Sequence, residues 1–245
     1  MSSPTPYPAP EPGDDLPAAV ERLAGELGVA LRLVPDRWGA ANAAGIAASV
    51  PGREPLFVEF VVGEESRWFD VSGRSEGVQL VTGGTTDLRE VIAAGVAWGR
   101  GASLREMREQ LPFLRFDELA EAHERGPADA VDVRWRRMLE EVATEWSYPG
   151  FRPLLEAAHA RPELRRLYPF ASHWMLCFSA CTGYPYAVKA AVWPLKGGRY
   201  AVQRGMSQSS AVGEADTVAE AVALAVSQLP SGLGPAVAGS TDRDG

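Results

Sequence analysis

The sequence predicts an α+β protein: two related antiparallel β-hairpin-plus-helix units joined by a helical segment. Three observations carry this. Short β-branched and aromatic runs are separated by Gly-containing turns. Amphipathic stretches open on N-capping residues with Glu three positions later. The pattern of the first half also returns in the second at an offset of 130 residues.

Taken in order, Leu16, Val20, Leu23 and Leu27 recur near the 3.6-residue period, and Gly28 supplies a stop, so 16–28 reads as a helix. Leu56–Val62 (LFVEFVV) reads as a buried strand, Gly63-Glu64-Glu65-Ser66 as a turn, and Arg67–Val71 and Val78–Val81 as further strands. Asp87 and Glu90 form a capping box that opens the next helix. Later come strands at Trp174–Ser179, Tyr186–Trp193 and Arg199–Gln203, then a helix capped by Thr217 and Glu220. Leu88, Val91, Ile92, Gly95 and Val96 correspond to Val218, Ala221, Val222, Ala225 and Val226, although two unrelated capped amphipathic helices would also show such a match. Between the units, Ser103 and Glu106 cap one helix. Val131, Trp135, Met138, Leu139 and Val142 mark a second, and Phe151, Leu154, Leu155 and Ala158 a third. The resulting organisation is a Pro-rich tail (1–15), a first αβ unit (16–101), a helical segment (102–170), a second αβ unit (171–230) and a solvated Gly/Ser/Asp-rich tail (231–245).

The chain has 245 residues, is 46% hydrophobic and carries a net charge of −8, so it is long enough to bury a sizeable core. The acidic balance disfavours nucleic acid and anionic membranes, which attract clustered Lys and Arg. No run reaches the ~18 apolar residues of a membrane span, and the N-terminus lacks the pattern of a secretory signal, so a cytoplasmic location is expected. Cys177 and Cys181, four positions apart on a strand, would have Cα atoms ~13 Å apart. A disulfide needs less than ~7 Å, so both read as free thiols.

Motifs for chemistry are sparse. Gly99-Arg100-Gly101 starts a dinucleotide-type pattern but lacks its third Gly and follows a helix. Gly205-Met206-Ser207-Gln208-Ser209 lacks the closing Gly of a nucleophile elbow. His123 and His159 fall on charged helix faces and read as solvated. His173 and Cys177 would share one strand face, but one His and one Cys are too few for a structural zinc site, and no cofactor motif is present. Asp70 and His173 are therefore the two weak candidates for acid–base chemistry, which needs a partner within hydrogen-bond reach. Gly95 and Gly99 spell GxxxG, which in a soluble chain permits close helix packing. The densest feature is aromatic: Tyr168, Phe170, Trp174, Phe178, Tyr184, Tyr186, Trp193 and Tyr200. Most of these rings read as core. Tyr184, Tyr186 and Tyr200, with Trp68 of the first unit, are the candidates for rimming a binding surface, because such rings favour sites where one end meets water.

Two stretches carry a resemblance. One runs from SRWFDVSGRSEGVQL to LREMREQLPFL. The other runs from YPFASHWMLCFSACTGYPYAV through GGRYAV to GEADTVAEAVALAVSQLP. Ser172-His173, Leu176-x-Phe178-Ser179, Thr182, Pro185 and Gly198-x-Tyr200 before a capped helix are the most specific positions. Together they resemble an uncharacterised actinobacterial family, a domain of unknown function, labelled as natural-product biosynthesis proteins. The resemblance spans about 50–230 and transfers no catalytic residue. It implies an accessory or binding protein of a specialised-metabolite pathway, acting through an aromatic-rimmed surface on a pathway protein, a peptide or a small molecule. Two other expectations stand beside it. One is an enzyme that modifies a peptide or small molecule through Asp70 and His173. The other is an immunity-type protein that neutralises a basic toxin by charge complementarity.

Overall fold

The computed structural model describes residues 15–35, 39–63, 66–144, 148–207 and 210–241. The proline run, the Glu64-Glu65 turn and Gln208-Ser209 lie outside them. The chain divides into two compact units, 1–124 and 125–245, so the helical segment expected between them is shared out rather than separate.

Unit 1 begins with helix α1 (Leu16–Glu26), whose Leu16, Val20 and Leu23 are fully buried. Gly28, at φ +69°, ends it: Val29 N donates to Ala24 O at 2.9 Å, a closure that needs a left-handed residue. An antiparallel meander follows: β1 (Leu33–Val34), β2 (Ala43–Ile46), β3 (Leu56–Val62), β4 (Arg67–Ser75) and β5 (Val78–Thr85). Helix α2 (Leu88–Gly99) then returns across β3 and β4 beside α1. Helix α3 (Leu104–Gln110), the short strand β6 (Leu114–Arg115), which adds to β5, and helix α4 (Glu118–Arg125) complete it. The core joins Leu16, Val20 and Leu23 to Ile46, Leu56, Val58, Phe69, Val71, Ile92 and Trp98. The GxxxG glycines serve the sheet rather than another helix. A Cβ on Gly95 would stand 2.6 Å from Ile46 Cδ1, and one on Gly99 3.4 Å from Ala47 O.

Unit 2 repeats this order. Helices α5 (Pro127–Thr144), α6 (Phe151–His159) and α7 (Pro162–Arg165) precede a second five-stranded meander. Its strands are β7 (Tyr168–Ser172), β8 (Met175–Ser179), β9 (Val188–Pro194), β10 (Tyr200–Gln203) and β11 (Ala211–Ala215), and helix α8 (Val218–Ser227) closes it. Both units thus run helix, antiparallel meander, helix, with six strands in the sheet of unit 1 and five in that of unit 2, and in each the flanking helices pack on each other and on the sheet. This topology supports the duplication that the 130-residue offset suggests. The unit 2 core centres on Trp135, which lies 6.2 Å from Phe178 and donates from Nε1 to Leu167 O at 3.2 Å.

Several expectations need correction. The Ser103 and Thr217 capping boxes form reciprocally, but the one at Asp87 does not. Asp87 caps Arg89 N at 2.9 Å, while Glu90 turns to accept the Thr85 hydroxyl. Strand β8 starts one residue late, because His173 and Trp174 form the two-residue turn from β7, with His173 at φ +55°. His173 therefore does not share a strand face with Cys177. The stretch from Ser231 is not a solvated tail. Ala236 is buried, and backbone bonds tie Ala236 to Arg166, Val237 to Ala180 and Thr182, Gly239 to Gly183 and Thr241 to Pro185. His159 packs on Trp135 at 5.3 Å, and burial lowers its pKa, with Arg165 adding to the effect.

His123 on α4 is half-buried rather than solvated, and burial pulls its pKa from 6.5 to about 4 against the attraction of Asp117 and Glu76. In the unfolded chain His123 takes up a proton near pH 6.5; in the fold it does so only near 4. Unfolding therefore binds a proton between these values, and stability falls as pH drops through this window. The expected loss is on the order of 2–3 kcal/mol. Urea unfolding of unit 1 at pH 7.5 and pH 4.5 should show it, and His123→Gln should flatten the dependence. Equal pH dependence in wild type and variant would remove His123 as its source.

Candidate functional site

The acid–base pair expected from sequence does not assemble within either unit. Asp70 belongs to unit 1 and His173 to unit 2. On β4, Phe69, Val71 and Gly73 face the core, so Trp68, Asp70 and Ser72 point the other way. Asp70 is exposed, opposite Glu59 on β3 and Gly84 on β5. Glu59 places a second carboxylate directly across the ladder, and like charges in that position are unfavourable. Among the described residues neither Asp70 nor His173 makes a side-chain hydrogen bond. Trp68 is half-buried between the β3–β4 turn and Gly84, where a Cβ would stand 3.5 Å from its Cδ1. It belongs to the outer sheet face of unit 1, whereas the three tyrosines belong to unit 2.

Tyr200 is core rather than rim. It is 5% exposed, and its hydroxyl donates to Gly150 O at 3.3 Å. Gly150 is the left-handed N-cap of α6 at φ +89°; a Cβ there would press on Pro194 and on the Tyr200 hydroxyl at 3.1 and 3.3 Å. Burial raises the Tyr200 pKa.

The remaining two tyrosines do come together. Tyr186 stacks on Phe170 of β7 with ring centroids 4.3 Å apart and planes 26° from parallel. Tyr168 extends the stack at 5.8 Å, and Tyr184 stands edge-on to Tyr186 at 5.8 Å and 86°. Tyr184 is 65% exposed, more than any other large hydrophobic side chain among the described residues. Arg134 of α5 donates to Pro169 O at 3.3 Å and lies near the Tyr186 phenol. Burial raises the pKa of that phenol and the Arg134 charge opposes the rise, so Tyr186 stays neutral and can donate.

The loop that carries Tyr184 and Tyr186 is held from within and from outside. Inside, the Ser179 hydroxyl bonds to Cys181 O at 2.6 Å and accepts from Cys181 N at 3.1 Å, and Ala187 N donates to Cys181 Sγ at 3.2 Å. Outside, the C-terminal segment lies along it: Val237 pairs with Cys181 as a parallel bridge, Gly183 N donates to Gly239 O at 2.7 Å, and Thr241 N donates to Pro185 O at 3.0 Å. Sequence reasoning missed Phe170 and Arg134 as members of this surface. The signal available was the period-two spacing of Tyr168 and Phe170, which marks a strand with both rings on one face.

Among the described residues no group of three His, Cys, Asp or Glu side chains converges as a metal site, and no helix is long and apolar enough to cross a membrane. Residues 129–240 match a family of unknown function (DUF6193). This stretch takes in most of unit 2, including the aromatic surface and the segment that braces it. No curated protein and no solved structure matches the chain.

Proposed function

We propose that this protein is a non-catalytic accessory binding protein of a specialised-metabolite pathway. Its unit 2 would capture an extended peptide segment bearing proline or aromatic side chains on the Tyr184–Tyr186–Phe170 surface. The observation that carries this reading is the exposed Tyr184 ring, set edge-on to a stacked aromatic pair on a loop anchored at both sides. Such rings present a large apolar area with few rotamers to freeze, so little entropy is lost on binding. Proline and aromatic side chains stack on ring faces of this kind, and an extended peptide loses little freedom in docking. The link to metabolite biosynthesis rests on the resemblance of the two stretches described above.

The test is to pan a random dodecapeptide display library on the intact protein. Enriched peptides should carry proline or aromatic residues. Tyr184→Ala should weaken them by about 2 kcal/mol, roughly 30-fold, as for a central interface tyrosine. Because Tyr184 is exposed, unfolding stability should change by less than ~0.5 kcal/mol. Enriched peptides that bind Tyr184→Ala as tightly as wild type would sink the assignment.

A further inference from the structure

The C-terminal segment of unit 2 closes a second feature just before it reaches the Tyr184 loop, a half-open cavity of about 250 Å³. Three pieces of chain wall it: α5 with Val131 and Asp132, α7 with Pro162 and Arg165, and the Pro235-Ala236 step. Val131 and Ala236 are buried and, with the two prolines, make an apolar floor. Asp132 and Arg165 are exposed and stand at the rim. Arg166 lines the cavity as well, within the attraction of Glu163.

The two rim charges differ from their neighbours. Asp129 pairs with Arg125 at 2.6 Å, Arg136 with Glu140 at 3.1 Å and Glu163 with Arg161 at 3.3 Å. Among the described residues Asp132 and Arg165 make neither an ion pair nor a side-chain hydrogen bond. Both nevertheless act on one imidazole. Burial lowers the His159 pKa, Arg165 adds to the fall and Asp132 opposes it. An anion and a cation thus border the same small space without neutralising each other by contact.

We propose that this cavity binds a free α-amino acid with an apolar side chain. The Arg165 guanidinium takes the α-carboxylate, Asp132 takes the α-ammonium, and the apolar floor takes the side chain. Three features support this. The first is charge: an unpaired anion and cation on one rim complement a zwitterion, whereas a simple acid or a simple amine satisfies only one of them. The second is size. Drug-sized ligands fill about 300–1,000 Å³, so this space suits a smaller molecule. The third is the floor, which offers no polar side-chain atom and favours an apolar group leaving water. The site shares no residue with the Tyr184 surface, so the two are tested independently.

The test is a ligand-observed NMR titration of the full chain with L-leucine and L-phenylalanine. It runs beside 4-methylpentanoate, which is leucine without the ammonium, and 3-methylbutylamine, which is leucine without the carboxylate. An amino acid is expected to bind with a dissociation constant on the order of 0.1–1 mM, as suits a ligand of about nine to twelve heavy atoms. The two truncated analogues should bind at least about tenfold more weakly than L-leucine. Asp132→Asn should weaken the amino acid at least about tenfold without weakening 4-methylpentanoate, while Arg165→Gln should weaken both. Both side chains are exposed, so both variants should keep the wild-type unfolding midpoint. Absence of saturable binding by either amino acid would overturn the site. So would amino-acid binding that either variant leaves unchanged, or 4-methylpentanoate binding as tightly as L-leucine.

Discussion

Replacing Trp98 with alanine is expected to cost unit 1 about 3–5 kcal/mol, the largest single-residue loss we expect in that unit. Trp98 is fully buried at the end of α2, and its indole Nε1 donates to Glu54 O at 2.9 Å. Gly73 on β4 leaves room for the ring, since a Cβ there would meet it at 2.9 Å. The Arg53 guanidinium lies 4.4 Å above it. That arginine, with its side chain only 8% exposed, donates to Trp98 O, Ala102 O and Glu124, and Glu124 in turn accepts from Leu104 N at 3.0 Å at the start of α3. Removing the ring opens a cavity and takes away the face that packs against a buried cation. Denaturant unfolding followed on unit 1 should show the loss, with Trp98→Phe recovering part of it. A cost below about 1.5 kcal/mol would mean that the ring is not the centre of this core.

Deleting residues 231–245 is expected to destabilise unit 2 by about 3–5 kcal/mol. The deletion removes at least four backbone hydrogen bonds between the C-terminal segment and residues 166 and 180–185, each worth about 0.5–1.5 kcal/mol net, together with the buried Ala236. It also frees one side of the loop bearing Tyr184 and Tyr186. Peptide binding on that surface should weaken even at temperatures where unit 2 stays folded, because ordering the loop would then be paid for on binding. A solvated tail would give a change within about 0.5 kcal/mol and no effect on binding. Unfolding curves and peptide titrations of the truncated chain distinguish the two outcomes.

These two expectations mark where local pattern sufficed and where it did not. Leu56–Val62 is bounded correctly from sequence, because a run of β-branched and aromatic residues has few alternatives to a strand. The helices capped by Ser103 and Thr217 are equally legible, since the cap and its Glu lie three residues apart and need nothing from the rest of the chain. Strand β2 was not legible. Its sequence AAGI carries little strand preference and becomes a strand through its partners β1 and β3 and through complete burial. Glu90 matches the capping-box pattern but is claimed by Thr85, a strand residue that the pattern does not include.

The amino-acid sequence by itself determined the α+β class, the twofold recurrence of strands followed by a capped helix, and an aromatic concentration in the second half. Each depends on interactions within a few residues or on a repeat visible along the chain. Tertiary structure decided which aromatic rings face outward. Tyr200 and Tyr184 look alike in sequence, yet one is fixed inside by Gly150 and the other stands on a loop braced by the C-terminal segment. It also brought the sulfurs of Cys177 and Met206, 29 positions apart, within 3.6 Å. Burial and convergence are properties of contacts between distant parts of the chain, and a linear pattern carries no record of which distant residue will arrive.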